Sequence, residues 1–90
     1  MSVTELAVEV AGWGGAALIL GGYTLLSTRR LTGESPLFHW MNLFGALGFV
    51  VNGWWHGAIP AAAMNVVWAG IAIYALIRVT GKARAGATPG

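Results

Sequence analysis

Three asparagines stand in stretches of the sequence that are otherwise almost wholly apolar. Asn42, Asn52 and Asn65 each have a side-chain amide that can both donate and accept hydrogen bonds. A buried amide without partners is costly in a hydrocarbon setting. We therefore expect these amides to face protein or a water-filled cavity, where they either join helices or bind a small hydrogen-bonding solute.

Aromatic and small residues recur beside the amides at steps of three and four, which place them on one helix face. One such stripe contains His39, Asn42, Ala46, Phe49, Asn52 and His56, and the other contains Asn65, Trp68, Ala72 and Leu76. Amides, flat rings and room between them suit a small polar ligand, although ordinary packing produces the same pattern. The predicted ligand-binding residues are Asn65, Asn52, Phe49, Trp68 and Asn42.

Other kinds of chemistry have little support in the sequence. His39 and His56 are seventeen residues apart on one predicted helix, or ~25 Å, so they cannot bind one metal ion within a protomer. The chain has no cysteine, and it shows no nucleophile–base pair, paired carboxylate site or phosphate-binding loop. We therefore expect no enzyme activity, no metal and no other cofactor, and the few basic residues do not indicate nucleic-acid binding.

The composition indicates an integral membrane protein. Of the 90 residues, 57% are hydrophobic and 9% are charged, and the mean hydropathy is +0.69. Soluble domains usually have about 25% charged residues, and a chain this small cannot hide so much apolar surface in its own core. The alternative is a helical subunit buried inside a larger soluble assembly.

The apolar runs predict an all-α fold, a bundle of three transmembrane helices in one domain over residues 1–79. The spans are predicted at about residues 6–26, 37–55 and 60–77, each close to the ~20 residues that cross a bilayer as a helix. A short turn at residues 57–60 makes the second and third spans antiparallel. Residues 80–90 are small and polar, which predicts a disordered cytoplasmic tail.

The basic residues predict the orientation in the membrane. Arg29 and Arg30 lie between spans one and two, and Arg78, Lys82 and Arg84 follow span three. Three spans place that loop and the C-terminus on the same side, which the positive-inside rule makes cytoplasmic. We expect a multi-pass protein of the cell inner membrane, with the N-terminus outside and the C-terminus cytoplasmic.

The chain resembles two groups of membrane proteins. Its three spans, basic first loop, short "GAIP" turn and Asn65, five residues into the third span, resemble the PQ-loop half-transporters known as SemiSWEETs. A group of small bacterial membrane proteins of uncharacterised function is more similar. The residues that carry this second likeness are Gly22, Tyr23, Ser35, Asn42, Gly45, Asn52, Pro60, Asn65 and Trp68.

The SemiSWEET resemblance implies a parallel homodimer that encloses a sugar site and opens alternately to the two sides of the membrane. It implies that Asn65 contacts the substrate and that Phe49 occupies the place of a pocket tryptophan. The Pro–Gln pair that names the family is absent. Gly21, Gly22 and Tyr23 stand in its region and are the predicted hinge, because two glycines offer flexibility in place of a proline kink.

Two functions follow as expectations. The first is a homodimeric half-transporter-like protein with a polar cavity for a small neutral solute. Three helices cannot easily surround a solute path, whereas two copies related by an axis along the membrane normal can. Glu9, the one acid near a span, lies at the span's edge, so we expect facilitated movement down a gradient rather than proton coupling through a buried carboxylate. The second is a structural or accessory subunit of a larger membrane complex, which needs only small-residue faces and satisfied amides.

Overall fold

The chain forms three α-helices joined by two short connections. The computed structural model describes the backbone of residues 2–87 and the side chains of residues 2–81. Helix α1 is Val3–Ser27, α2 is Pro36–Trp55 and α3 is Ile59–Ala87. This described part contains no strand, so the predicted all-α fold class is confirmed.

The connection between α2 and α3 is a tight cap-and-turn. Gly57 has a left-handed φ of 72°, a conformation that glycine adopts without steric cost. Its N–H donates to the carbonyl of Trp54, and the N–H of Ala58 donates to that of Gly53, the paired bonds of a Schellman cap. Pro60 then stands in the first turn of α3, where its missing N–H costs nothing. The predicted short turn is therefore confirmed.

The three helices are arranged with α2 between α1 and α3. Helix α2 packs against both neighbours, whereas no Cα atoms of α1 and α3 lie within 8 Å of each other in the described residues. In the described residues the predicted three-helix bundle therefore has the form of a layer with α2 in the middle. The physical reason is that the small-residue faces of α2 point to two different sides, so each face binds a separate helix.

The seam between α1 and α2 is made of glycine. A Cβ added to Gly15 would lie 2.6 Å from the carbonyl oxygen of Gly45, and one added to Gly48 would collide with the carbonyl of Ala11. Such spacing leaves no room for any side chain. Small residues allow helix backbones to approach closely and gain van der Waals contact, which is the main attraction between helices in lipid.

The seam between α2 and α3 is made of alanine and leucine. Its centre is a cluster of five buried residues, Leu43, Ala46, Ala69, Ala72 and Leu76. Ala46 is fully buried. Near the turn, a Cβ on Gly53 would lie 3.3 Å from the backbone nitrogen of Ala62, so the hairpin is narrow at that end.

Large apolar side chains cover the outside of all three helices. Leu20 on α1 is 69% exposed, Val51 on α2 is 50% exposed and Ile77 on α3 is 66% exposed. By length and composition, α1 and the Ile59–Gly81 part of α3 can each cross a membrane. Helix α2 does not meet the same test, and it contains His39, Asn42 and Asn52.

Helix α3 continues beyond the predicted third span. The span was expected to end near residue 77 and residues 80–90 to be a disordered tail, but the helix extends to Ala87. Residues 78–87 are rich in alanine, lysine and arginine, which favour helix, and contain no proline. Residues 88–90 lie outside the described residues.

We expect Gly15→Ala to weaken the packing of α1 on α2. The added methyl group meets the backbone of Gly45 rather than a movable side chain, so the free energy of unfolding should fall by about 1–3 kcal/mol. The measurement is unfolding by sodium dodecyl sulfate from mild-detergent micelles, followed by circular dichroism. The matched control is Gly14→Ala, because a Cβ at Gly14 meets nothing within 4 Å. Equal stability of the two variants would contradict the glycine seam.

Candidate functional site

A groove lies between α1 and α2 at the end of the molecule that holds the N-terminus and the α2–α3 turn. Its volume is about 380 Å³. The lining residues are Glu9, Gly12, Trp13, Ala16, Phe49, Asn52 and His56.

A histidine and a carboxylate join the two helices at this groove. His56 Nε2 donates to Glu9 Oε1 at 2.9 Å. Glu9 follows the start of α1 by six residues, or ~9 Å, and His56 caps the C-terminus of α2. Their side chains are 36% and 50% exposed, so both are accessible to water or to a ligand. An ionisable group on a helix apolar enough to cross a membrane is a candidate for a functional site.

Asn52 makes a second bond between the helices. Its Nδ2 donates to the carbonyl oxygen of Val8 on α1 at 3.1 Å. Gly12 makes this approach possible, because a Cβ there would lie 2.5 Å from the Asn52 Nδ2. Asn52 therefore both holds α1 to α2 and presents a polar side chain on the groove wall.

Two aromatic rings form the apolar part of the groove. Trp13 is on α1, 75% exposed, and Phe49 is on α2, half-buried. Both line the same space as Glu9 and Asn52. The groove therefore combines a carboxylate, an imidazole, an amide and two ring systems, which can hydrogen-bond to a small ligand and cover its apolar or cationic part.

The structure brings together only two of the five predicted ligand-binding residues. Asn52 and Phe49 line the groove, whereas Asn65, Trp68 and Asn42 do not. Asn65 Nδ2 donates to the Ala61 carbonyl of its own helix at 2.9 Å. Asn42 likewise donates to its own helix, and Trp68 is 49% exposed on α3.

Asn52 and Asn65 lie on different seams. Asn52 reaches α1, and Asn65 belongs to α3, which does not contact α1 in the described residues. Within one chain the two amides therefore do not form a common site, although the tight turn brings them to similar depths. The spacing of the two asparagines predicts how far along its helix each one lies. It does not predict towards which neighbouring helix each side chain points.

The sequence was compared with protein families, curated proteins and solved structures. The model of a protein family of uncharacterised function matches residues 8–84. The chain belongs to that family. No curated protein and no solved structure matches it. Family membership covers all three helices but assigns no activity, so the function of this member has to be argued from the groove.

The predicted hinge of this family member lies in unbroken helix. Residues 21–23 are in the middle of the second half of α1, which is helical throughout Val3–Ser27. Gly22 is buried beside Met41 and Phe38, at 3.6 Å from where its Cβ would be. Gly21 is half-buried and Tyr23 is 65% exposed. A hinge at these residues stays a prediction.

A smaller hollow lies at the opposite end of the molecule. Its volume is about 220 Å³, and His39, Tyr74 and Arg78 are among its lining residues. His39 Nε2 donates to the Gly33 carbonyl at 2.6 Å, which fixes the α1–α2 loop to α2. His39 therefore holds this loop against α2, whereas the other histidine, His56, lines the groove.

Glu9, Trp13 and His56 line the groove but are absent from the predicted ligand-binding set. The sequence analysis places Glu9 at the edge of a span and His56 on the same helix face as Asn52, and it does not bring the two together. The signal that could have found them is topological. A short loop makes α1 and α2 antiparallel, so the start of α1 lies beside the end of α2.

Within the described residues no group of three or more metal-ligating side chains occurs.

We expect Asn52→Leu to destabilise the protein more than Asn65→Leu. Leucine has nearly the shape of asparagine, so the first variant chiefly loses the bond to the Val8 carbonyl, and such bonds in membranes average about 0.6 kcal/mol with a maximum near 1.7. The second variant loses only a bond within its own helix. Detergent unfolding of both variants measures the difference, and a larger loss for Asn65→Leu would contradict the assignment.

Proposed function

We propose that all three helices span a membrane, with the N-terminus and the α2–α3 turn outside and the α1–α2 loop in the cytoplasm. The support comes from burial. In the most apolar 18-residue windows of α1 and α3, only 17% and 22% of residues are buried, whereas the core helix of a soluble protein would be mostly buried. Arg29, Arg30 and Arg78 lie at the end proposed as cytoplasmic.

Helix α2 misses the hydropathy test that α1 and α3 pass, but its middle position allows it to contain polar side chains. Its two neighbours cover part of its surface, and its polar side chains have partners. Asn52 donates to α1, Asn42 to its own helix and His39 to the loop. A polar group inside a membrane is tolerated when it faces protein and forms hydrogen bonds.

Single-cysteine labelling tests whether α2 crosses the membrane. The chain has no cysteine of its own, so Ala58→Cys in the outer turn and Gly33→Cys in the first loop each give one reactive thiol. We expect a membrane-impermeant maleimide to label Ala58→Cys in intact bacterial spheroplasts, and Gly33→Cys only after the membrane is permeabilised. Labelling of both from one side would show that α2 does not cross.

We propose that the groove between α1 and α2 binds a small polar solute, and that two copies of the chain together form a half-transporter-like carrier. The observation that carries this proposal is the Glu9–His56 pair, which lies with Asn52 in a groove walled by aromatic rings. Large apolar side chains cover much of the remaining outer surface of the three helices. The groove is open along its side, and a second copy packed against it would enclose the solute.

This proposal moves the binding site from Asn65 to the groove. Asn65 is the solute contact that the SemiSWEET resemblance implies, but it is on α3 and donates to its own helix. Asn52 and Phe49 remain in the proposed site, and Glu9, Trp13 and His56 join them. The resemblance to SemiSWEETs supports a dimeric carrier in general terms. It also implies that Asn65 contacts the substrate, and the proposed groove does not include Asn65.

An accessory subunit is the second candidate, and one observation favours it. Helices α1 and α3 contact α2 but not each other in the described residues, so each has a wide apolar face available to a larger membrane complex. Gentle purification separates the two candidates. A species of twice the mass of one chain favours the carrier, and a stoichiometric foreign protein favours the subunit.

Filling the groove tests solute binding without removing a hydrogen bond. Ala16 lines the groove, so Ala16→Phe should occupy the solute's place, whereas the adjacent Ala17 is exposed and outside it. The probes are glucose, glycerol and choline, with uptake measured in proteoliposomes and affinity by calorimetry in nanodiscs. We expect at least one probe to bind, with Ala16→Phe weakening it at least tenfold and Ala17→Phe leaving it unchanged. Equal binding of the probe by the two variants would contradict the proposed site.

A further inference from the structure

We infer that the solute of this groove is a small organic cation, an alkylammonium or quaternary ammonium compound. The inference rests on the proposed function and specifies its substrate class. The sequence analysis expects a small neutral solute. In the structure the Glu9 carboxylate lines the groove, and this position changes the chemistry that the groove can recognise.

The charge of the groove is negative when His56 is neutral. A neutral His56 that donates its Nε2 hydrogen to Glu9 Oε1 leaves the carboxylate charge in place. The nearest other charged side chain on α1 is Glu5, which is also acidic, and α3 has no lysine or arginine before Arg78. Apart from His56, the described residues therefore place no basic side chain at this end of the molecule, and the Glu9 carboxylate attracts a cation there.

The aromatic residues complete a cation site. Trp13 and Phe49 line the groove on opposite helices, so a ligand between the helices meets a ring from each side. Ring faces attract cations, tryptophan most strongly, and aromatic walls are a recurring means of recognising quaternary ammonium groups. Asn52, on the same wall, offers an amide to a hydroxyl or carbonyl group of the ligand.

The test compares choline with its neutral isostere 3,3-dimethylbutan-1-ol, using the full chain in nanodiscs and calorimetry. The two probes have the same shape and differ in charge, so we expect choline to bind about five- to tenfold more tightly. Glu9→Gln keeps the shape and the acceptor for His56 but loses the charge, and should remove this preference. Glu5→Gln, on the same helix but outside the groove, should retain it.

A further comparison completes the test. Trp13→Leu should weaken choline binding several-fold, whereas Trp54→Leu, a similarly exposed tryptophan outside the groove, should not. Equal affinity for choline and its neutral isostere, or an unchanged preference in Glu9→Gln, would overturn the cation inference while leaving a solute groove in place. Binding of no probe would overturn the groove as well.

Discussion

The close approach of α1 and α2 is the constraint on which the rest of the structure depends. Gly15 and Gly45 meet with almost no side-chain atoms between them, so the two backbones lie within reach of short polar side chains. Only at that distance can Asn52 donate to a main-chain carbonyl on the neighbouring helix. The same approach brings His56 to Glu9 at the end of the seam. The glycine seam, in which the helix backbones meet directly, therefore positions the polar contacts of the groove.

The middle position of α2 explains how polarity is distributed among the helices. The outer helices, α1 and α3, expose large apolar side chains such as Leu20 and Ile77 and are apolar enough to cross a membrane. The middle helix has a histidine and two asparagines with hydrogen-bond partners in the described residues. A three-helix layer can therefore contain polar groups in its centre while presenting an apolar exterior, which a single span could not do.

The groove contains two kinds of polar residue with different physical roles. Asn52 is part of the scaffold, because its bond to α1 ties the helices together. Glu9 and His56 are partly exposed, so they can exchange their mutual bond for contact with a ligand. A structural amide beside an accessible carboxylate and imidazole gives a groove that is held in shape yet open to a ligand. These properties suit the small organic cation proposed above.

The sequence alone determined the three helices, the antiparallel hairpin at Gly57 and the apolar character of the exterior. Each of these follows from local composition and spacing, since apolar runs form helices and a glycine–proline pair ends one helix and begins the next. The neighbours of each helix were decided only by tertiary structure. Asn52 and Asn65 have similar surroundings in sequence, yet one reaches α1 and the other bonds to its own helix. Glu9 and His56 are 47 residues apart in the chain and meet only because the glycine seam brings α1 against α2.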